Sequence, residues 1–172
     1  KTVTVTDALG NAGSITIPDF VIDATAPTLT QVTAITTPSN DTTPSYVFTT
    51  NEAGTITTNI TQGFSTSNSA TTGSNLTITF NTLPEGTYSG KTVTVTDALG
   101  NAGSITIPDF VIDTTAPTVT EVTAITTPSN DTTPSYVFNT TEAGTISSSL
   151  GFSSTTSAAA GNNTITFNTL VA

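Results

Sequence analysis

KTVTVTDALGNAGSITIPDFVID fills residues 1–23 and returns without a change at residues 91–113, so Lys91 repeats Lys1 90 residues later. Its first strand is written in the alternation of residues 2–6. Val3 and Val5 fall on one face, and Thr2, Thr4 and Thr6 on the other, the period of a half-buried strand. Asp7-Ala8-Leu9-Gly10-Asn11 supplies a turn, with Gly and Asn able to adopt positive φ. Ile15 and Ile17 resume the alternation. Pro18 then interrupts pairing, as at a strand edge or bulge, and Phe20 to Ile22 continues the strand. The stretch predicts an antiparallel hairpin.

Working outward, the rest of the chain repeats too. A block beginning at Ala26-Pro27 returns at Ala116-Pro117, so the whole sequence is a tandem array. Within residues 24–113 strands are expected at 28–35, 44–50, 55–60 and 76–80. Residues 36–41 and 51–54 form turns, and the Ser/Thr-rich residues 61–75 are read as loosely structured. With the hairpin this makes about seven strands per repeat, the spacing of an all-β sandwich. Residues 114–172 repeat 24–83, with small deletions confined to the Ser/Thr-rich middle, where loops tolerate them.

Composition narrows the chemistry. The chain has no Cys, His, Met or Trp. Thiolate and imidazole metal sites are therefore excluded, as are Cys–His and Ser–His–Asp nucleophile systems. Two lysines face twelve acidic residues, for a net charge of −10. That balance disfavours nucleic acid and anionic membranes and suits divalent cations. No apolar run is long enough to span a bilayer. No signal peptide is recognisable, so any secretion signal is expected outside these residues or already removed. The acids lie in turns and outline no cleft for paired-carboxylate catalysis, so an enzyme is not expected.

Four motifs occur in a fixed order: TDALGN at 96–101, VIDTTAPT at 111–118, SNDTTP at 39–44 and 129–134, and NEAGT or TEAGT at 51–55 and 141–145. Together they resemble the bacterial immunoglobulin-like repeats of giant surface adhesins, over the whole chain. LPEGTY, ending at Tyr88, resembles the tyrosine corner of immunoglobulin-like sandwiches. The resemblance implies tandem immunoglobulin-like Greek-key β-sandwiches in a rigid extracellular stalk or fibre at a cell surface, often stiffened by calcium at domain junctions. Pro27 and Pro117 would stiffen the short linkers.

In such a sandwich, Glu52 and the Asp97–Asn101 loop lie at the end where the chain comes in, near linker residue Asp23. Asp41 lies at the opposite end near Asp113, which is expected to meet Glu142 of the following repeat; Asp131 is the counterpart of Asp41. Oxygen ligands gathered from several loops suit Ca²⁺. The competing reading is that these Asp and Asn side chains serve only their own turns.

Residues 1–23 form a hairpin of an incomplete repeat, 24–113 a complete repeat, and 114–172 a repeat lacking the final hairpin and the tyrosine corner. Two expectations follow for partners. Further repeats of the same chain complete both ends, or the hairpin of one copy completes the last repeat of the next, head to tail. The predicted role is a structural unit of an extracellular filament or adhesin stalk. The rival is a binding module that recognises glycans or host surfaces through its loops, with Phe64 and Phe152 as its aromatic candidates.

Overall fold

Alternating Thr and Val produce the first hairpin in the computed structural model, which describes residues 1–171. β1 (Thr2–Thr6) and β2 (Ala12–Thr16) pair antiparallel, with Val3 opposite Ile15 and Thr4 opposite Ser14. The Thr4 and Ser14 hydroxyls share a hydrogen bond of 2.7 Å across the strands. Gly10 closes the turn at φ 90°, a conformation costly for residues with a Cβ. Asn11 does not share it, since no non-glycine residue among those described has positive φ.

The chain forms two compact units, Lys1–Thr114 and Thr115–Ala172. After the hairpin, the first contains β3 (Leu29–Thr33), β4 (Ser45–Thr50), β5 (Gly54–Thr58), β6 (Ser69–Ala70), β7 (Leu76–Thr79), β8 (Gly86–Tyr88), β9 (Thr92–Thr96), β10 (Ala102–Thr106) and β11 (Phe110–Ile112). Two more strands are present than the seven expected, the short β6 and β8. β6 lies in the Ser/Thr-rich segment read as irregular, where Ala70 is buried against the core. β3–β4–β7 form one sheet, β10–β9–β5–β6 a second, and β11–β8 a small third.

Tyr46 and Phe48 from β4, Ile78 from β7, Ile56 from β5, and Val93 and Val95 from β9 share one buried cluster. The core thus lies between the two larger sheets, as in a β-sandwich. Tyr88 stacks on Phe110 at 4.8 Å between ring centroids, and its hydroxyl donates to the Pro84 carbonyl at 2.8 Å. That bond back to the backbone four residues upstream is the geometry expected of LPEGTY.

The second unit contains β12 (Val119–Thr123), β13 (Ser135–Thr140), β14 (Gly144–Thr145), β15 (Ser157–Ala158) and β16 (Gly161–Thr166). β12–β13–β16 form a sheet, and β14 pairs with β15. Phe138, Ile165 and Phe167 make a small core, with Tyr136 and Ile146 only half-buried beside it. Their first-unit counterparts Tyr46 and Ile56 are buried.

One sequence stands in two environments. Val95 is 0% exposed and Val5 71%; Phe110 is 1% exposed and Phe20 56%. Residues 20–22, expected to be a strand, are not one, although the identical residues 110–112 are. The physical reason is pairing. β11 is held by β8, with Phe110 opposite Tyr88, and residues 20–22 have no such neighbour strand. Among the described residues no helix is long and apolar enough to cross a membrane.

Candidate functional site

The turn between β9 and β10 is wired by one carboxylate. Asp97 Oδ1 accepts from the Leu99 and Asn101 amides, both at 2.8 Å, and Oδ2 accepts from Asn101 Nδ2 at 2.8 Å. The Asn101 side chain, together with the surrounding backbone amides, holds the Asp97 carboxyl below the ordinary carboxylate range; partial burial acts in the opposite direction. Asp7 makes the same bonds in the identical first turn and is lowered for the same reason.

Asp97 differs from Asp7 in its company. Asp23 from the linker, Glu52 from the β4–β5 turn and Asp97 bring carboxylate oxygens within 4.8 Å of one another. Asn101 Nδ2 also donates to the Asp23 carbonyl at 3.2 Å, tying the linker to the turn. Glu52 is held from its other side, where its amide and carbonyl both engage the Thr50 hydroxyl. Its Oε2 is closed off from solvent and has no hydrogen-bond partner. A buried carboxylate oxygen without a donor carries a desolvation cost. At such separations two carboxylates repel by about 1 kcal/mol in water and roughly 3–4 kcal/mol at an effective dielectric of 20.

A cation among them would relieve both penalties. The donors are all hard oxygens, so the acidic triad of Asp23, Glu52 and Asp97 could hold a metal ion of the oxygen-binding kind.

The remaining sequence-derived residues do not join a cluster. Asp41 Oδ1 accepts from the Thr43 amide at 2.8 Å, and Asp131 Oδ1 from the Thr133 amide at 2.9 Å, so both cap their own turns. The Asp113 amide donates to the Ser39 carbonyl at 2.9 Å, placing Asp113 beside the 36–41 turn as expected. Glu142 repeats the backbone setting of Glu52, with its carbonyl accepting from the Thr140 hydroxyl at 3.0 Å. Asp113 belongs to the first unit and Glu142 to the second. Among the described residues, no other three acidic groups approach as closely as Asp23, Glu52 and Asp97.

Phe64 and Phe152, the aromatic candidates for surface recognition, pack against the two cores instead. Two glycines carry roles that sequence reading missed. A Cβ on Gly54 would collide with the Thr96 carbonyl oxygen, and one on Gly103 with the carbonyl oxygen of buried Pro27. Gly54 was read as part of the 51–54 turn, whereas it opens β5 and Gly103 lies within β10, where a glycine marks close backbone approach.

No protein-family model matches the chain, and no curated protein matches it in sequence.

Proposed function

We propose that the chain is a run of structural repeats from an extracellular filament or adhesin stalk at a cell surface, with Ca²⁺ stiffening the point where the linker enters a repeat. The observation that carries this reading is the acidic triad. Asp23 belongs to the linker, while Glu52 and Asp97 belong to two loops of the following repeat, so one bound ion fastens linker to repeat. Asp23, Glu52 and Asp97 supply carboxylate oxygens, and Asn101 Nδ2 donates to the Asp97 carboxylate and to the Asp23 backbone carbonyl. Water completes the six to eight oxygens that Ca²⁺ takes.

Each repeat is read as an immunoglobulin-like Greek-key sandwich of the bacterial surface-repeat type. The Tyr88–Pro84 bond and the two sheets around one core support that reading. Neighbouring repeats, from the same chain or from head-to-tail copies, extend the fibre. Near-identical repeats with separate cores suit length and stiffness, since stability in such arrays is local. A net charge of −10 opposes nucleic acid as a partner. Loop-borne glycan recognition is the weaker reading, because Phe64 and Phe152 are engaged in core packing.

The test is the mobility of the hairpin on the repeat that follows it. The chain lacks Cys, so Ala8→Cys and Thr72→Cys at exposed positions give clean spin-labelling sites. The distance distribution between the labels should narrow on adding Ca²⁺ and broaden in chelator. An identical distribution in both conditions would overturn the stalk mechanism.

A further inference from the structure

We propose that Asn40 and Asn130, which hold the same place in two successive repeats, are N-glycosylation sites, each carrying a sugar on its side-chain amide nitrogen. The sites go beyond the stalk reading and rest on it only in placing the chain where a glycosyltransferase meets it.

The chain contains six Asn-x-Thr sequences, at Asn40, Asn59, Asn75, Asn130, Asn139 and Asn162. That pattern is the acceptor for N-linked sugar on surface loops of secreted proteins. In a chain so rich in Thr the pattern alone selects none of them. Their spatial settings do.

Three of the asparagines are engaged inside the fold. Asn59 Oδ1 accepts from the Thr92 amide at 2.9 Å, and its Nδ2 donates to the Gly90 carbonyl at 3.1 Å. Asn139 Nδ2 donates to Asn162 Oδ1 at 2.8 Å, between paired strands β13 and β16. Asn75 is exposed, but its sequence runs into β7, where Thr77 is fixed opposite Val47.

Asn40 and Asn130 are exposed, and among the described residues neither side chain makes a hydrogen bond. The backbone around each is pinned instead. The Asp41 amide donates to Ser39 Oγ at 3.1 Å, the Thr43 amide to Asp41 Oδ1 at 2.8 Å, and the Leu83 amide to the Thr42 carbonyl at 2.8 Å. The second repeat copies all three bonds through Asp131, Thr133 and Leu170, at 3.0, 2.9 and 2.8 Å. The Thr42 and Thr132 hydroxyls are unbonded as well. Each turn thus holds out a free amide and, two residues on, a free hydroxyl, the two groups that the acceptor pattern requires. A turn already rigid loses little entropy on entering an enzyme's site. The Ser39 carbonyl also accepts from the Asp113 amide at 2.9 Å, so a sugar on Asn40 stands beside the end of β11.

The step is a glycosyl transfer. Nδ2 attacks the anomeric carbon of a sugar activated on a phosphate leaving group. The bond from Nδ2 to that carbon forms, and the bond from the carbon to the phosphate oxygen breaks. One Nδ2 proton passes to a base of the transferase, and nothing is oxidised or reduced.

The test is peptide mapping by mass spectrometry of the full chain isolated from the cells that make it. Sugar increments should fall on the peptides holding Asn40 and Asn130, and none on those holding Asn59, Asn139 or Asn162. Thr42→Ala should abolish the increment at Asn40 and leave that at Asn130, and Thr42→Ser should restore it. In sugar-free chain from a host without the transferase, Asn40→Gln and Asn130→Gln should melt as wild type does, because neither amide bonds within the chain.

Bare Asn40 and Asn130 would overturn the proposal. So would sugar spread equally over Asn59 and Asn139, or an increment at Asn40 that survives Thr42→Ala. Bare asparagines in chains whose spin-label distances still narrow with Ca²⁺ would overturn the sugar sites alone and leave the stalk reading standing. Sugar at both sites in chains that ignore Ca²⁺ would do the reverse.

Discussion

Gly54 lies against Thr96 so closely that a Cβ added to it would strike the Thr96 carbonyl oxygen and sit 2.9 Å from Val95 Cγ1. The contact fixes how near β5 approaches β9. Gly54→Ala is expected to destabilise the first unit by about 1–3 kcal/mol, the usual cost of overpacking a close-packed site. Urea denaturation followed by tyrosine fluorescence measures it. Gly144→Ala should lie within experimental error of wild type in dilute solution.

Glu52→Gln should change sign with calcium. In chelator it removes one of three crowded charges, so the variant should melt higher than wild type. With millimolar Ca²⁺ it loses a ligand, and wild type should melt higher. Thermal melts in both conditions check the crossover.

Tyr88→Phe keeps the ring on Phe110 and removes only the hydroxyl bond to Pro84. The bond lies near solvent, so a loss of about 0.5–1.5 kcal/mol is expected. A denaturant series on the full chain reads it from the transition of the first unit.

Asn59 clamps the end of β5 to the start of β9. Its Oδ1 accepts from the Thr92 amide at 2.9 Å, and its Nδ2 donates to the Gly90 carbonyl at 3.1 Å. Asn59→Ala should cost about 1–3 kcal/mol, because two backbone groups lose their partner. Hydrogen exchange at the Thr92 amide should speed up accordingly.

Asp7 and Asp97 form an internal control for pH and metal. Both carboxyls are lowered by their Asn neighbours and turn amides. The sign follows from the lowered folded value. The turn's stabilisation is fully present above the ordinary aspartate value, 3.8, and is lost as pH falls through the lowered one. In a carboxyl NMR titration both should titrate below 3.8. Ca²⁺ should shift the Asp97 signal and leave Asp7 in place, since only Asp97 has Asp23 and Glu52 beside it.

The hairpin, its turn and the bond from the Tyr88 hydroxyl back to the Pro84 carbonyl were legible in sequence because each rests on neighbours along the chain. Alternation set the faces of Val3 and Val5, and Asp-x-x-Gly-Asn set the turn. Asp23, Glu52 and Asp97 were legible as a group through the strand order implied by the family resemblance. Asp41 and Asp131 were grouped with the metal residues, yet they bond their own Thr two residues on. An acid in a turn reads alike in either role. The contrast between Val5 and Val95 was legible only from the repeat boundaries, which set 1–23 as a hairpin of an incomplete repeat and 24–113 as a complete one, and not from the residues themselves. Identical residues differ there only in whether another strand covers them, which is tertiary information. The fit of Gly54 to Thr96 was hidden for the same reason.

The most direct test of the stalk mechanism is a calorimetric titration of the full chain with Ca²⁺ at low ionic strength, beside the Glu52→Gln chain. The predicted result is a saturable heat in wild type, with a Kd of about 10⁻⁴–10⁻³ M as in extracellular calcium modules, reduced by one site in the variant. No saturable heat, or the same isotherm in both chains, would contradict a cation held by Asp23, Glu52 and Asp97.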